Sequence, residues 1–273
     1  MQTFSKGYQL AKRFYYLAVL PLFLDLASLT GMYLSTEHLY SFGIGVKFSL
    51  PIYFPSLTNV YSFPSPTGTS INVPYFGNGL LAPAFVLIFT AVVGYLSAGY
   101  LGKIHAAVSG SDSAFVALAN KYFVRLFAYG LVWLFLAYSV LLFAAVVSLV
   151  FLYIAFLFLL TYFIFLTPFV VVAEDCGLAE AFARSVKITT SQASRTLPFV
   201  VVYAIVTLVI SIPVYLLLNF SFVGFVPAVA GFAFVGTALV ASTSCFYYDL
   251  TRPFIQSSPE QQPPATSMGA EPT

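Results

Sequence analysis

Two stretches of this chain carry no Asp, Glu, Lys or Arg: Leu126 to Ala173 and Thr196 to Tyr248. A helix rises about 1.5 Å per residue and the hydrocarbon core of a bilayer is about 30 Å thick, so one crossing takes about 20 residues. Each stretch is long enough to go across and return. The pattern predicts spans 123–146 and 150–173, turning near Val147 to Val150, and spans 197–218 and 224–248, turning near Asn219 to Gly224 where Asn, Ser and Gly cluster. Two shorter apolar runs predict span 79–101 and span 14–34, the latter opened by Lys12 and Arg13 and interrupted by Asp25. A secretory signal peptide competes for that first run. Its length, the Asp25 interruption and the lack of a small-x-small cleavage site after it favour a retained span.

The period changes only in segment 35–78. There Phe42, Ile44, Val46, Phe48, Leu50 and Ile52 alternate with smaller or more polar residues, the period of two of a strand with one apolar face. A small external loop with β structure is expected. Two connectors instead show helical spacing: Phe115, Leu118, Ala119 and Tyr122, with Ser111 or Asp112 as a cap, and Leu178, Ala181, Phe182 and Val186, with Asp175 as a cap. Both read as short interfacial helices on the cytoplasmic side. From Pro253 to Thr273 the composition turns to Pro, Gln, Ser and Thr, which predicts a disordered tail (253–273) after one membrane domain (1–252).

Charge orients this frame. Of eleven Lys and Arg residues, Lys6, Lys12, Arg13, Lys103, Lys121, Arg125, Arg184, Lys187, Arg195 and Arg252 fall on one side of a six-span arrangement, and only Lys47 on the other. Cytoplasmic loops carry the excess of basic residues, so both termini are expected in the cytoplasm. Composition agrees: 60% of residues are hydrophobic and 7% charged, and mean hydropathy is +0.94, whereas soluble domains are about 25% charged. A net charge of +2 gives no ground for a nucleic-acid partner. The two cysteines, Cys176 and Cys245, do not make a disulfide framework.

Asp25 is the strongest single candidate. Twelve positions after Arg13 it stands near mid-bilayer, where an ionised carboxylate costs about 2.5 to 3.5 kcal/mol on insertion scales. Pro21, four residues earlier, would remove a backbone hydrogen bond and open a polar pocket. One reading is a proton- or cation-linked site; the other is a protonated or hydrogen-bonded aspartate that holds span one against hydroxyls such as Ser28, Thr90, Thr161 or Thr207. Arg184, Lys187 and Arg195 are candidate contacts for anionic headgroups, each worth about 1 kcal/mol near a membrane surface; orientation by charge alone is their plainer reading. Glu174 and Asp175 read as a helix boundary with a cap. Gly94, Ala98 and Gly102 form a small-residue stripe, read as packing within the chain. His38 and His105 fall on opposite sides, so no metal or cofactor is expected, and no nucleophile with a base, phosphate loop or acid pair marks an enzyme.

The run Thr167-Pro168-Phe169-Val170-Val171-Val172-Ala173-Glu174-Asp175, then Gly177, Glu180-Ala181-Phe182, Arg184-Ser185 and a fresh span near Leu197, resembles the signature of a family of uncharacterised prokaryotic membrane proteins. That family is related to the membrane domain of bacterial glycerophosphodiester phosphodiesterases, and Phe246-Tyr247-Tyr248-Asp249-Leu250 is similar to its close. The resemblance covers the second half of the chain in residues and the first half in layout only. It implies a membrane module, with catalysis not carried over because no phosphodiesterase domain accompanies it here.

The reading as a whole is an all-α polytopic membrane protein of the cell membrane, with six transmembrane helices, two short cytoplasmic interfacial helices and a small external β-containing loop. Its expected role is non-enzymatic: organising or supporting membrane lipid or a complex with another membrane protein. A small transporter or lipid exporter with a midplane site around Asp25 is the alternative.

Overall fold

The computed structural model of this protein describes residues 2–26, 81–111, 113–143, 147–219 and 222–256. The expected β-containing loop (35–78) and the tail beyond Gln256 lie outside the described residues, as do the end of the first span and the connection between the third and fourth. Helix α1 (Gln2–Arg13) turns Gly7 and Ala11 inward and ends on Lys12 and Arg13. Phe14 then leaves helical geometry (φ −114°, ψ 43°), and α2 (Tyr15–Leu26) opens with a 3-10 turn over Tyr15–Ala18. The bend in the first apolar run therefore falls at Phe14. Pro21, expected to kink it, follows that turn closely, where a missing backbone N–H disturbs less than in a helix interior.

The remaining helices are α3 (Leu81–Ser109), α4 (Phe115–Phe143), α5 (Val147–Ile164), α6 (Thr167–Glu174), α7 (Leu178–Ser191), α8 (Ala193–Asn219) and α9 (Phe222–Gln256). All the secondary structure among the described residues is helical. Among the described residues, five segments are long and apolar enough to cross a membrane: Leu87–Ser109, Phe115–Leu136, Ala155–Glu174, Ala193–Val214 and Val226–Thr251.

Three boundaries differ from expectation. The connector around Phe115 to Tyr122 is no separate interfacial helix but the first turns of α4, because nothing at Tyr122–Phe123 breaks a helix already begun. Helix α5 is under way at Val147, so Val147 to Val150, where a turn is expected, are helical. Helix α9 continues through Pro253 to Gln256, four residues into the expected tail, since a proline in the last turn removes only one helical hydrogen bond.

The fourth apolar stretch is divided. Pro168 has no amide to donate and sits in the first turn of α6, where that loss matters least, so the helix breaks at Phe165–Leu166 and restarts. Both Phe169 N and Val170 N donate to Leu166 O at 2.9 Å. The hydroxyl of Ser185 on α7 donates to Phe163 O at 2.9 Å, docking the amphipathic helix α7 at the break. This is the connector at Leu178 to Val186 that the sequence pattern marks as a separate helix.

Packing follows the small residues. A Cβ on Gly94 would lie 3.2 Å from Phe127 Cα, and one on Gly102 would lie 2.7 Å from Leu118 Cβ. The stripe thus brings α3 and α4 into close antiparallel contact within the chain. Helix α9 is the centre of the bundle, with Ala228, Val229, Ala233, Val240 and Ala241 buried. Helix α1 runs antiparallel along its second half: Lys6 pairs with Asp249 at 3.5 Å, Gly7 abuts Ser242, and Tyr8 meets Phe234 edge to face. Phe4 and Phe246 stack on either side of Phe199 of α8, with centroids at 5.1 Å and 4.0 Å. Facing outward, α8 shows Leu197, Val201, Ile205, Val209, Ile212 and Leu216 at helical spacing, an apolar face suited to lipid.

Candidate functional site

Charged and hydroxyl-bearing side chains gather at the end of the bundle where α6 stops, α4 and α7 begin and α9 finishes. Helix α6 ends in Asp175, whose left-handed backbone (φ 53°, ψ 31°) is one that Asp tolerates better than most residues. The expected cap of α7 is Asp175, but that role falls to Gly177, without a side-chain bond. The turn instead aims two adjacent carboxylates apart. Asp175 takes an ion pair from Lys121 Nζ at 2.9 Å and one from Arg125 Nη1 at 2.6 Å, both from α4. Glu174 accepts from the Tyr247 hydroxyl of α9 and from Arg184 Nη1 of α7. Arg184 also donates through Nη2 to Glu180 at 2.8 Å, one helical turn back. One dipeptide therefore ties together α4, α7 and α9.

The two acids differ in environment. Glu174 keeps 23% of its side-chain exposure, and Tyr247 against it is buried. Asp175 keeps 47%, and its bond to Lys121, then that to Arg125, holds its carboxyl below the usual carboxylate range. A carboxyl whose pKa is depressed on folding stabilises the protein above its unfolded pKa and loses that contribution as pH falls through the folded value. Acidification through and below the carboxylate range should therefore weaken this tie. Thermal melts of the solubilised protein should show Asp175→Asn with a smaller loss of stability than the parent over that window; an equal loss would assign the effect to other carboxylates.

Around this cluster, hydroxyls connect helices. Tyr100 of α3 donates to Thr237 Oγ1 of α9 at 3.0 Å, Tyr162 of α5 pairs with Thr196 of α8 at 3.1 Å, and His105 Nδ1 meets the Tyr248 hydroxyl at 2.6 Å. Both cysteines are free and buried, and burial raises the Cys176 thiol pKa, the reverse of what a nucleophilic cysteine needs. Among the described residues no group of three or more His, Cys, Asp or Glu side chains is placed to hold a metal ion.

Of the residues singled out in the sequence, Asp25 lies on α2, fully buried and engaged in an interaction. Arg184 is taken up by Glu174 and Glu180, while Lys187 and Arg195 are exposed on α7 and α8, with Arg195 Nη1 3.4 Å from Gln192 Oε1. Arg184 and Lys187 stand on α7 and Arg195 on α8, whereas Asp25 stands on α2. In the sequence, Lys121 and Arg125 read only as orienting charges and Tyr247 only as part of the run that closes the last span; what joins them is the turn at Asp175, whose left-handed residue is not a glycine.

The bundle defines a multi-pass integral membrane protein. No family model, curated protein or solved structure matches the chain.

Proposed function

We propose that this protein is a non-enzymatic membrane module that organises or supports membrane lipid or a complex with another membrane protein, with both termini in the cytoplasm. The observation that carries this reading is the use made of its charged groups: Glu174, Asp175, Lys121, Arg125 and Arg184, with the Tyr247 hydroxyl, are engaged in ties between helices at one end of the bundle. Such an arrangement supports a rigid body with an apolar outer face. In this reading the cytoplasmic boundary of the bilayer runs near Arg13, Arg125 and Arg195, after each of which a charge-free run begins. Helix α9, at 35 residues and about 1.5 Å per residue, is then longer than the hydrocarbon core. Its last turns stand outside the lipid, sheathed by α1.

Native mass spectrometry of the gently solubilised protein tests the role. A lipid or protein partner held at fixed stoichiometry is the expected result; a bare chain that keeps only a small solute would overturn it.

The transporter reading rests on a separate observation, the complete burial of Asp25 on α2. In vesicles with a demonstrated flux, it requires Asp25→Asn to change the rate or its pH dependence. Flux unchanged on both counts would make Asp25 structural.

A further inference from the structure

The junction between α1 and α2 gathers groups that the ties at the end of the bundle do not use. Lys12 and Arg13 are exposed, and neither forms an ion pair with a carboxylate among the described residues. Arg13 lies over the Phe14 ring at 5.5 Å from its centroid. Immediately beyond, Tyr15 is 69% and Tyr16 49% exposed, and one face of α2 continues outward with Val19 at 56% and Phe23 at 67%. Val19 and Phe23 are one helical turn apart, so they form a continuous apolar strip leading away from the basic pair. Cations, then amphipathic aromatics, then aliphatic and aromatic surface is the order of groups met on descending from a headgroup into acyl chains.

We infer that this junction binds an anionic phospholipid, its phosphate against Lys12 and Arg13 and one acyl chain along Val19 and Phe23. The inference rests on the lipid-organising reading and names its partner. Charge complementarity favours that occupant over a neutral one. The negative end of α1 opposes an anion there, but it amounts to about half a charge against two full ones, and the positive end of α2 begins at the same place. Arg184 would be a poorer contact, since a headgroup would have to displace Glu174 and Glu180 from it.

The test titrates the full-length protein in detergent with phosphatidylglycerol and, separately, phosphatidylcholine, counting bound lipid by mass spectrometry. The double variant Lys12→Gln/Arg13→Gln should bind phosphatidylglycerol about thirtyfold more weakly and hold phosphatidylcholine as before. Lys12→Arg/Arg13→Lys should retain binding, which separates lost charge from lost folding. Soluble glycerol phosphate at the same concentration should leave the lipid in place. Unchanged phosphatidylglycerol binding in the double variant, equal loss of both lipids, or displacement by glycerol phosphate would overturn the site. If Lys187→Gln/Arg195→Gln abolished binding instead, this site would fail while the lipid-organising reading survived.

Discussion

Gly7→Ala is expected to destabilise the docking of α1 on α9 by about 2 kcal/mol, although alanine is the better helix former. The added Cβ would collide with Ser242 Oγ and stand 2.6 Å from its amide nitrogen and 2.7 Å from its Cα. A hydroxyl can rotate away, but two of the three atoms are backbone, so the helices themselves must separate. Replacing glycine by alanine in a helix interior gains about 0.5 to 1 kcal/mol, whereas overpacking a tight contact costs about 1 to 3 kcal/mol. The steric term wins. Faster hydrogen exchange across α1, with the end of α9 losing protection alongside it, would report the undocking. Adding Ser242→Gly should restore only part of the loss, because the backbone conflict remains. Protection equal to the parent's in the single variant would mean that α1 does not pack on α9 in the membrane.

The second large effect separates two neighbouring acids. Glu174→Ala removes the acceptor of both the buried Tyr247 hydroxyl and the Arg184 guanidinium. An orphaned buried donor costs about 1 to 3 kcal/mol, and a hydrogen bond to a charged group contributes about 1.5 to 3. A loss of about 3 kcal/mol is expected. Asp175→Ala removes two ion pairs at a half-exposed site, where solvent screening leaves such pairs about 0 to 1 kcal/mol each. Melting temperatures of the two variants in one detergent should therefore differ clearly, with Glu174→Ala much the lower. Equal shifts would contradict the assignment of Glu174 as the central tie.

The helical class and the apolar segments are legible in the sequence because a run of about fifty residues without charge fits a pair of membrane crossings and little else. Close helix packing within the chain is legible in Gly94, Ala98 and Gly102, since small residues at that spacing allow backbones to approach, although the stripe does not name α4 as the partner. What stays hidden depends on contacts between distant parts of the chain. The expected span 224–248 reads as lipid-embedded, yet Ser242, Thr243 and Ser244 are buried and Ser242 is covered by α1. A residue can avoid water beneath another helix as well as in lipid, and hydropathy does not distinguish the two. Helix α1 itself does leave a signal: Phe4, Gly7, Ala11 and Phe14 recur at helical spacing, and a period count over the first fourteen residues finds it. The cluster at Glu174 and Asp175 is visible only as a helix boundary. Its partners come from residues 121, 125, 184 and 247, and no local pattern announces that they meet.

The depth at which the chain enters the bilayer underlies both the architecture and the lipid site. Spin labels placed singly at Gln9 on α1 and at Phe23 on α2, both exposed positions, can be read by collision with a water-soluble nickel reagent and with lipid-dissolved oxygen. Gln9 should meet nickel and Phe23 should meet oxygen, which would place the boundary between them at Lys12 to Tyr16. Oxygen-dominated relaxation at Gln9 would put α1 inside the membrane and contradict this arrangement.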